Sequence, residues 1–256
     1  MDLPVLITYA NRGYAPFAVN LLANLLKKTT KHRLHFYCLD EEIYQILTTQ
    51  FGQHSRFIFQ RTFGADSGVS KEFVSYGSTE YNRLTHTKLY FIRDALNHYS
   101  YIHFIDCDVV CLKEPDMAFY ALYKDYDIVF QYDCGWKRET GQLDPFNNWV
   151  CTGNMTLRKT PGTTYILNKI EEVQMRLNKN DQECLKEYFD SAGIQDIRTE
   201  PAAKLFVYPA EIYTNGYLIN NDLITTEKTY FFHANHVVGG NDKVKLLKKV
   251  GEWYLV

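Results

Sequence analysis

Over its first hundred residues the chain alternates between two hydrophobic rhythms, and this alternation limits the fold more than any other feature. "LPVLITYA" (3–10) is a short β-rich run that breaks at the polar turn "NRGY". Phe17, Leu21, Leu22, Leu25 and Leu26 then recur on one helical face. "RLHFYCLD" (33–40) reads as the next strand, with Asp40 placed to cap a helix through Leu47. "RFIFQR" (56–61) is a third strand, followed by a polar loop from about Phe63 to Ser78. Ser78 or Thr79 caps the long helix "EYNRLTHTKLYFIRDALNHY", which feeds "YIHFIDCDVVCLKEP" (101–115). Such alternation predicts a mostly parallel sheet with helices on both faces.

Ligands of such sheets collect beyond the carboxyl ends of the strands. The turn at Ala10–Asn11 and the pair Asp106 and Asp108 both fall at such ends, so the sheet brings them to one edge. Beyond Pro115 come a short helix ("PDMAFYAL"), a strand ("YDIVFQYD"), an irregular loop over 133–148 and the strand "VCTGNMTLR". A helix from about Pro161 to Leu177 and another opening at Asp181 come next. The last part is mixed: "KLFVYPAEIY", the strand "TYFFHANH", and a basic helix from about Asp242 to Val250. No repeat or linker divides the 256 residues, which read as one α/β domain whose sheet turns mixed towards its end.

Asp106 and Asp108 stand within an otherwise apolar strand, and a carboxylate buried without a partner costs several kcal/mol. Their spacing suits a hard divalent cation, Mg²⁺ or Mn²⁺, shared with a phosphate. The plainer alternative is that one caps a turn and the other faces solvent. "FFHANHVVGGNDK" (231–243) supplies His233, His236, Gly239, Gly240 and Lys243. A strand running into His233 would carry an imidazole to the sheet edge. The glycines would admit a phosphate to the backbone with Lys243 as countercharge; a plain glycine turn before a helix fits the pattern equally. "NDQECLKEYF" opens a helix in which Asn180 or Asp181 reads first as an N-cap. In "CTGNM" (151–155), Gly153 inside a strand marks a close approach to the backbone.

Bulk properties narrow the function. A net charge of -2 gives no basic face for nucleic acid. The six cysteines form no CxxC pair and suit reduced thiols. "MDLPVLITYA" starts with an acid and enters a strand directly, unlike a signal peptide, and no apolar run nears the ~20 residues of a membrane span. A cytoplasmic location is expected. The terminal "NDKVKLLKKVGEWYLV" flanks an apolar stripe with lysines and reads two ways. It makes peripheral contact with an anionic membrane, or, the favoured reading, it docks on the protein's own core.

Taken together and in order, "VLITYANRGY", "THTKLYFIRDAL", "FIDCDVVCLKEP", "CTGNMTLRKTP", "NDQ" and "FFHANHVVGGNDK" resemble the nucleotide-diphospho-sugar transferase family, over nearly the whole chain. A more distant similarity runs to glycogenin-like and bacterial lipopolysaccharide galactosyltransferases. The resemblance implies a retaining glycosyltransferase of the GT-A fold. It implies a Rossmann-like domain with a mostly parallel central sheet flanked by helices, nucleotide-binding over about 1–115 and acceptor-binding and catalytic over about 116–256. It places Asp106 and Asp108 on a Mn²⁺ or Mg²⁺ ion, with His233, or alternatively His236, as third ligand. It places Thr8, Tyr9, Ala10 and Asn11 in the nucleotide-binding turn. Lys88, Cys107, Thr152, Gly153, Asn154, Gly239 and Lys243 fall on the donor. Asp181 would hold donor sugar hydroxyls and Gln182 would lie against the anomeric carbon. The chain departs from the family at Cys151, where an asparagine is usual.

The activity this implies is a metal-dependent transfer of sugar from a nucleotide diphosphate, UDP above all, to a hydroxyl of a glycan or lipid-linked sugar. Two readings compete: a nucleotidyltransferase that makes nucleotide sugars, and a binding protein on a dead transferase fold. The first usually has a glycine-rich basic loop after its first strand, where this chain has only Arg12 and Gly13. Acceptor specificity is expected in the loops 63–78 and 133–148.

Overall fold

The computed structural model describes residues 3–62, 71–74, 76–133 and 144–255. The element order opens β1 (Val5–Ala10), a 3₁₀ turn (Arg12–Tyr14), α1 (Ala15–Lys28), β2 (Leu34–Cys38), α2 (Glu41–Phe51), β3 (Phe57–Arg61), α3 (Thr79–His98) and β4 (Tyr101–Ile105). It continues β5 (Val109–Cys111), α4 (Met117–Ala121), β6 (Ile128–Tyr132), β7 (Val150–Arg158), α5 (Pro161–Gln174) and α6 (Asp181–Ser191). It closes with β8 (Leu205–Val207), β9 (Tyr213–Asn215), α7 (Gly216–Asn220), β10 (Phe231–His233) and α8 (Gly240–Lys249). The expected caps form. Asp40 accepts from the Ile43 amide, and Ser78, not Thr79, accepts from Tyr81. Each such cap is worth about 1 kcal/mol.

Seven strands make the central sheet in the order β3-β2-β1-β4-β7-β6-β8. The first four are mutually parallel, β7 is antiparallel to both neighbours, and β6 pairs parallel with β8. This is the mostly parallel α/β sheet with a mixed end that the alternation predicts. Leu6, Leu34 and Phe36 face one hydrophobic layer with α1 and α2, and Ile7, Ile102 and Phe104 face the other with α3, α5 and α6. One sheet therefore spans both the 1–115 and 116–256 segments.

Two expectations need correction. The aspartates do not sit mid-strand: β4 ends at Ile105, and the chain turns through Asp106–Asp108 before β5 leaves for a separate three-stranded sheet, β5-β10-β9. The strand expected over 229–236 is shorter, only Phe231–His233, and lies in that second sheet. β10 runs antiparallel to β5 with His233 opposite Val109. The imidazole thus reaches the edge of the large sheet from the small one.

The C-terminal stripe is docked. Leu246 and Leu247 are buried, and Val244, Val250 and Trp253 pack against the layer containing α1. Lys249 donates to the Ile219 carbonyl and Lys245 pairs with Asp242. That apolar face is not free for a bilayer. Among the described residues no helix is long and apolar enough to cross a membrane.

Asn24 on α1 fastens the small sheet and the tail together. Its side chain takes the Cys111 amide at 2.8 Å and gives hydrogen bonds to the Cys111 carbonyl and to Glu252, both at 2.9 Å. Glu252 also pairs with Lys28 at 2.6 Å. Removing one partner leaves buried groups unsatisfied, so Asn24→Ala is expected to cost about 2–4 kcal/mol in urea denaturation. A loss below about 1 kcal/mol would contradict this role.

Candidate active site

The site grows out of the turn after β4. The Asp106 amide donates to the Gly153 carbonyl on β7 at 2.7 Å, and the Val109 amide donates back to Asp106 O at 3.0 Å. The Ala234 amide, just past β10, donates to Asp108 O at 3.0 Å. These bonds hold the turn between the two sheets. His233 Nε2 then lies 3.3 Å from Asp108 Oδ1 and 3.9 Å from Asp106 Oδ2. One ligand atom from each of the three falls within 4.8 Å of the others. Gly153 makes room for them, since a β-carbon there would sit 2.4 Å from both Asp106 Oδ2 and His233 Cε1.

The tautomer of His233 follows from its other neighbour. Gln131 gives its amide nitrogen to the Thr214 carbonyl at 2.6 Å, so its carbonyl oxygen faces His233 Nδ1 at 3.2 Å. An amide oxygen only accepts, so Nδ1 carries the proton and Nε2 presents a lone pair. Nε2 and two carboxylates then converge as three lone-pair donors. A cation between them satisfies all three, and two carboxylates with an imidazole suit Mn²⁺ or Mg²⁺. Fixing the ring through its far nitrogen is how metal-binding histidines are oriented.

Two lysines flank the cluster. Lys88, buried on α3, lies 2.8 Å from Asp181 Oδ2 and 3.6 Å from Asp106 Oδ1, and donates to the Thr152 carbonyl at 3.3 Å. Burial alone would lower its pKa, but Asp106 and Asp181 outweigh that and hold it raised. Lys243 of α8 pairs with Asp108 Oδ2. Burial pushes Asp108 up, yet the Lys243 ammonium outweighs it and keeps its carboxyl well below the ordinary range. Asp106 is raised instead: burial, with the neighbouring Asp108 and Asp181 carboxylates, outweighs the pull of Lys88. Among the described residues of this cleft of about 710 Å³, Asp106, Asp108, Asp133 and Asp181 face only Lys88 and Lys243. Four carboxylates against two ammonium groups leave a surplus of two negative charges, the charge that one divalent cation offsets.

A sequence model of the nucleotide-diphospho-sugar transferases matches residues 30–247. The chain belongs to the nucleotide-diphospho-sugar transferase family. It is therefore an enzyme of the glycosyltransferase class, with a nucleotide sugar as donor. No curated protein sequence matches it. Among solved structures, the galactosyltransferase LgtC, in complex with donor and acceptor sugar analogues, is similar with TM-score 0.56 and 12% identity, over 92% of this chain and 87% of that one. Mouse xyloside xylosyltransferase 1 gives TM-score 0.56 and 12% identity over 92% and 98%. The bifunctional glycosyltransferase WbbM gives 0.57 and 11%, and this chain, 98% covered, spans half of it. These likenesses show the GT-A fold.

Within this transferase the cleft brings together most residues expected from the sequence. Tyr9, Ala10, Lys88, Asp106, Cys107, Asp108, Thr152, Gly153, Asp181, Gln182, His233, Gly239 and Lys243 all line it. Three do not. Thr8 is buried with its hydroxyl 3.5 Å from Cys107 Sγ, because alternation along β1 turns it away. Asn11 caps the 3₁₀ turn and donates to the Glu72 carbonyl at 3.1 Å. Asn154 lies on the opposite face of β7 from Gly153, 2.7 Å from His103 Nε2 in the core. It is Cys151 itself that lines the cleft, 3.5 Å from His233 Nδ1. His236 is in the cleft but apart from the aspartate pair, 2.7 Å from Asp133 Oδ1.

Asn180, not Asp181, is the N-cap of α6, in a capping box with Glu183, which leaves Asp181 to meet Lys88. Sequence reasoning missed Asp133 and Gln131. β6 runs in the direction of β4, so the residue after it, Asp133, reaches the same edge; the rule that found Asp106 would have found it. Gln131, a polar residue inside the apolar run "DIVFQY", was the second available signal. Of the loops expected to set acceptor specificity, residues 63–70, 75 and 134–143 lie outside the described residues. Gly153→Ala is expected to overpack the cluster by about 1–3 kcal/mol and to weaken binding of UDP with Mn²⁺ about tenfold or more in calorimetric titration, with the far-UV circular dichroism unchanged. Normal affinity would mean that Gly153 is not part of the site.

Proposed function

We propose that this enzyme is a metal-dependent transferase that moves a sugar from a UDP donor to a hydroxyl of a glycan with retention of anomeric configuration. The observation that carries the reading is the convergence of Asp106, Asp108 and the unprotonated Nε2 of His233 on one point. Those three would hold Mn²⁺ or Mg²⁺, which when bound stabilises charge on the leaving diphosphate.

The remaining roles fall to the chain itself. Lys243 and the Gly239–Gly240 backbone, at the N-terminus of α8, face the same charge. Gly239, at φ +88, takes a backbone form that other residues resist. Gln182 gives its amide nitrogen to Asp133 Oδ2 at 2.7 Å, which leaves its carbonyl oxygen for the reacting carbon. Asp181 is held by Lys88 and suits a sugar hydroxyl better than a nucleophilic attack. We therefore assign same-face attack: the acceptor oxygen bonds to the anomeric carbon as the bond to the phosphate oxygen breaks, and the acceptor proton passes to that departing oxygen.

The nucleotidyltransferase reading loses its phosphate loop here. The space over Gly13 is filled by residues 72 and 73, so that a β-carbon at this position would lie only 2.1 Å from Phe73 N. A free glycan is favoured over a lipid-linked acceptor, because the stripe of α8 is already buried. The five described cysteines are unpaired and buried, which supports a reducing, cytoplasmic compartment.

In a thermal-shift experiment UDP with Mn²⁺ should raise Tm by more than the sum of their separate effects, and Asp108→Ala should remove that synergy. Equal stabilisation of the variant would sink the metal assignment. Gln182→Ala should lower kcat about tenfold or more and leave UDP affinity near normal, since it removes an interaction made chiefly in the transition state. Weak UDP binding with unchanged turnover would put Gln182 elsewhere.

A further inference from the structure

Asp108 faces two cation positions at once. Its Oδ1 looks into the cluster, 3.3 Å from His233 Nε2, while its Oδ2 is taken by the Lys243 ammonium, which also donates to the Ala234 carbonyl at 3.2 Å. A divalent ion on Oδ1 and an ammonium on Oδ2 would share a single negative charge. At the two ends of one carboxylate they repel each other, and a cleft that water screens poorly strengthens the effect. One of the two has to give way. Lys88 is not free to move: its side chain is 3% exposed and is held by Asp181, Asp106 and the Thr152 carbonyl. The Lys243 side chain is 20% exposed and has Asp108 as its one carboxylate partner among the described residues. It stands in the first turn of α8, whose N-cap, Gly239, makes no side-chain cap, and both residues line the cleft. An anion entering there meets an ammonium on a long, partly solvated stem beside uncapped amides.

We infer that Lys243 holds the cation's place on Asp108 in the unloaded enzyme, an autoinhibitory contact that makes the cleft take up cation and donor as a pair and either one alone only weakly. This rests on the metal and donor reading above. When a cation binds alone, Lys243 loses its carboxylate and gains nothing. When a diphosphate binds alone, it draws Lys243 away and leaves Asp108, whose side chain is 10% exposed, without its countercharge. When both bind, the cation takes over Asp108 and the ammonium turns to the phosphate, so neither group is left without a partner. Such coupling is reciprocal: each ligand raises the affinity for the other by the same factor.

The test is Mn²⁺ binding to the full chain without nucleotide, read from the free-Mn²⁺ signal in electron paramagnetic resonance. Lys243→Met keeps the stem of the side chain and removes its charge. It should bind Mn²⁺ alone about tenfold or more tighter than the wild type does. After allowance for the Mn²⁺–UDP complex formed in solution, UDP should tighten Mn²⁺ far less in the variant than in the wild type. Mn²⁺ alone should also raise the Tm of Lys243→Met by more than that of the wild type, a readout that a destabilised variant still gives. Lys243→Gln, which keeps a donor for Asp108, should change in the same direction by less. Lys245→Met removes an equal charge from α8 at a lysine that pairs with Asp242, and should match the wild type. Affinity for Mn²⁺ alone that is unchanged or weaker in Lys243→Met would mean that Lys243 supports Asp108 instead of competing for it; that result overturns the inference and leaves the metal reading standing. If the wild type binds no Mn²⁺ even with UDP, the metal reading falls first, and this inference with it.

Discussion

The buried ammonium of Lys88, shared between Asp106 and Asp181, is the interaction on which the cleft depends. It is 3% exposed, and the side chain of Asp181 is 5% exposed. Removing one partner of such a pair costs about 3–5 kcal/mol, because the other charge stays buried alone. Lys88 also ties three elements to one point: α3, the turn after β4 and the start of α6. The Asp106–Asp108–His233 cluster stands on one side of it and the Gln182–Asp133 pair on the other. Lys243 repeats the arrangement from α8, against Asp108.

The two sheets explain how carboxylates come to be tolerated there. A strand that stayed in the large sheet would bury Asp108 among apolar neighbours. Leaving it for the small sheet exposes the turn to the cleft and lets β10 deliver His233 from the opposite direction. The glycine at 153 and the glutamine at 131 complete the device, one by absence of a side chain and one by fixing the imidazole proton.

Much of this was legible in the sequence, for a physical reason. Periodicity reports burial, so the alternation of β1 to β4 with α1 to α3 and the caps at Asp40 and Ser78 could be read directly. The edge rule for parallel sheets then gathered Ala10, Asp106 and Asp108. The errors came where side-chain direction matters. Thr8 and Asn154 sit one residue from cleft-lining neighbours in strands, and alternation sends them into the core. The second sheet was not legible because its three strands have three residues each, too short for a period to show. The choice between His233 and His236 needed that sheet, since only pairing with Val109 decides which imidazole meets the aspartates.

The proposed chemistry stands on His233 sharing a metal ion, through Nε2, with Asp106 and Asp108. Pulsed electron paramagnetic resonance on the chain with Mn²⁺ and UDP reads that bond itself, by the coupling of a ligating ¹⁴N nucleus to the manganese spin. One directly bound imidazole nitrogen is expected, present in the wild type and in His236→Gly and gone in His233→Ala. Bound manganese without any nitrogen coupling, or a coupling that survives in His233→Ala, would contradict it.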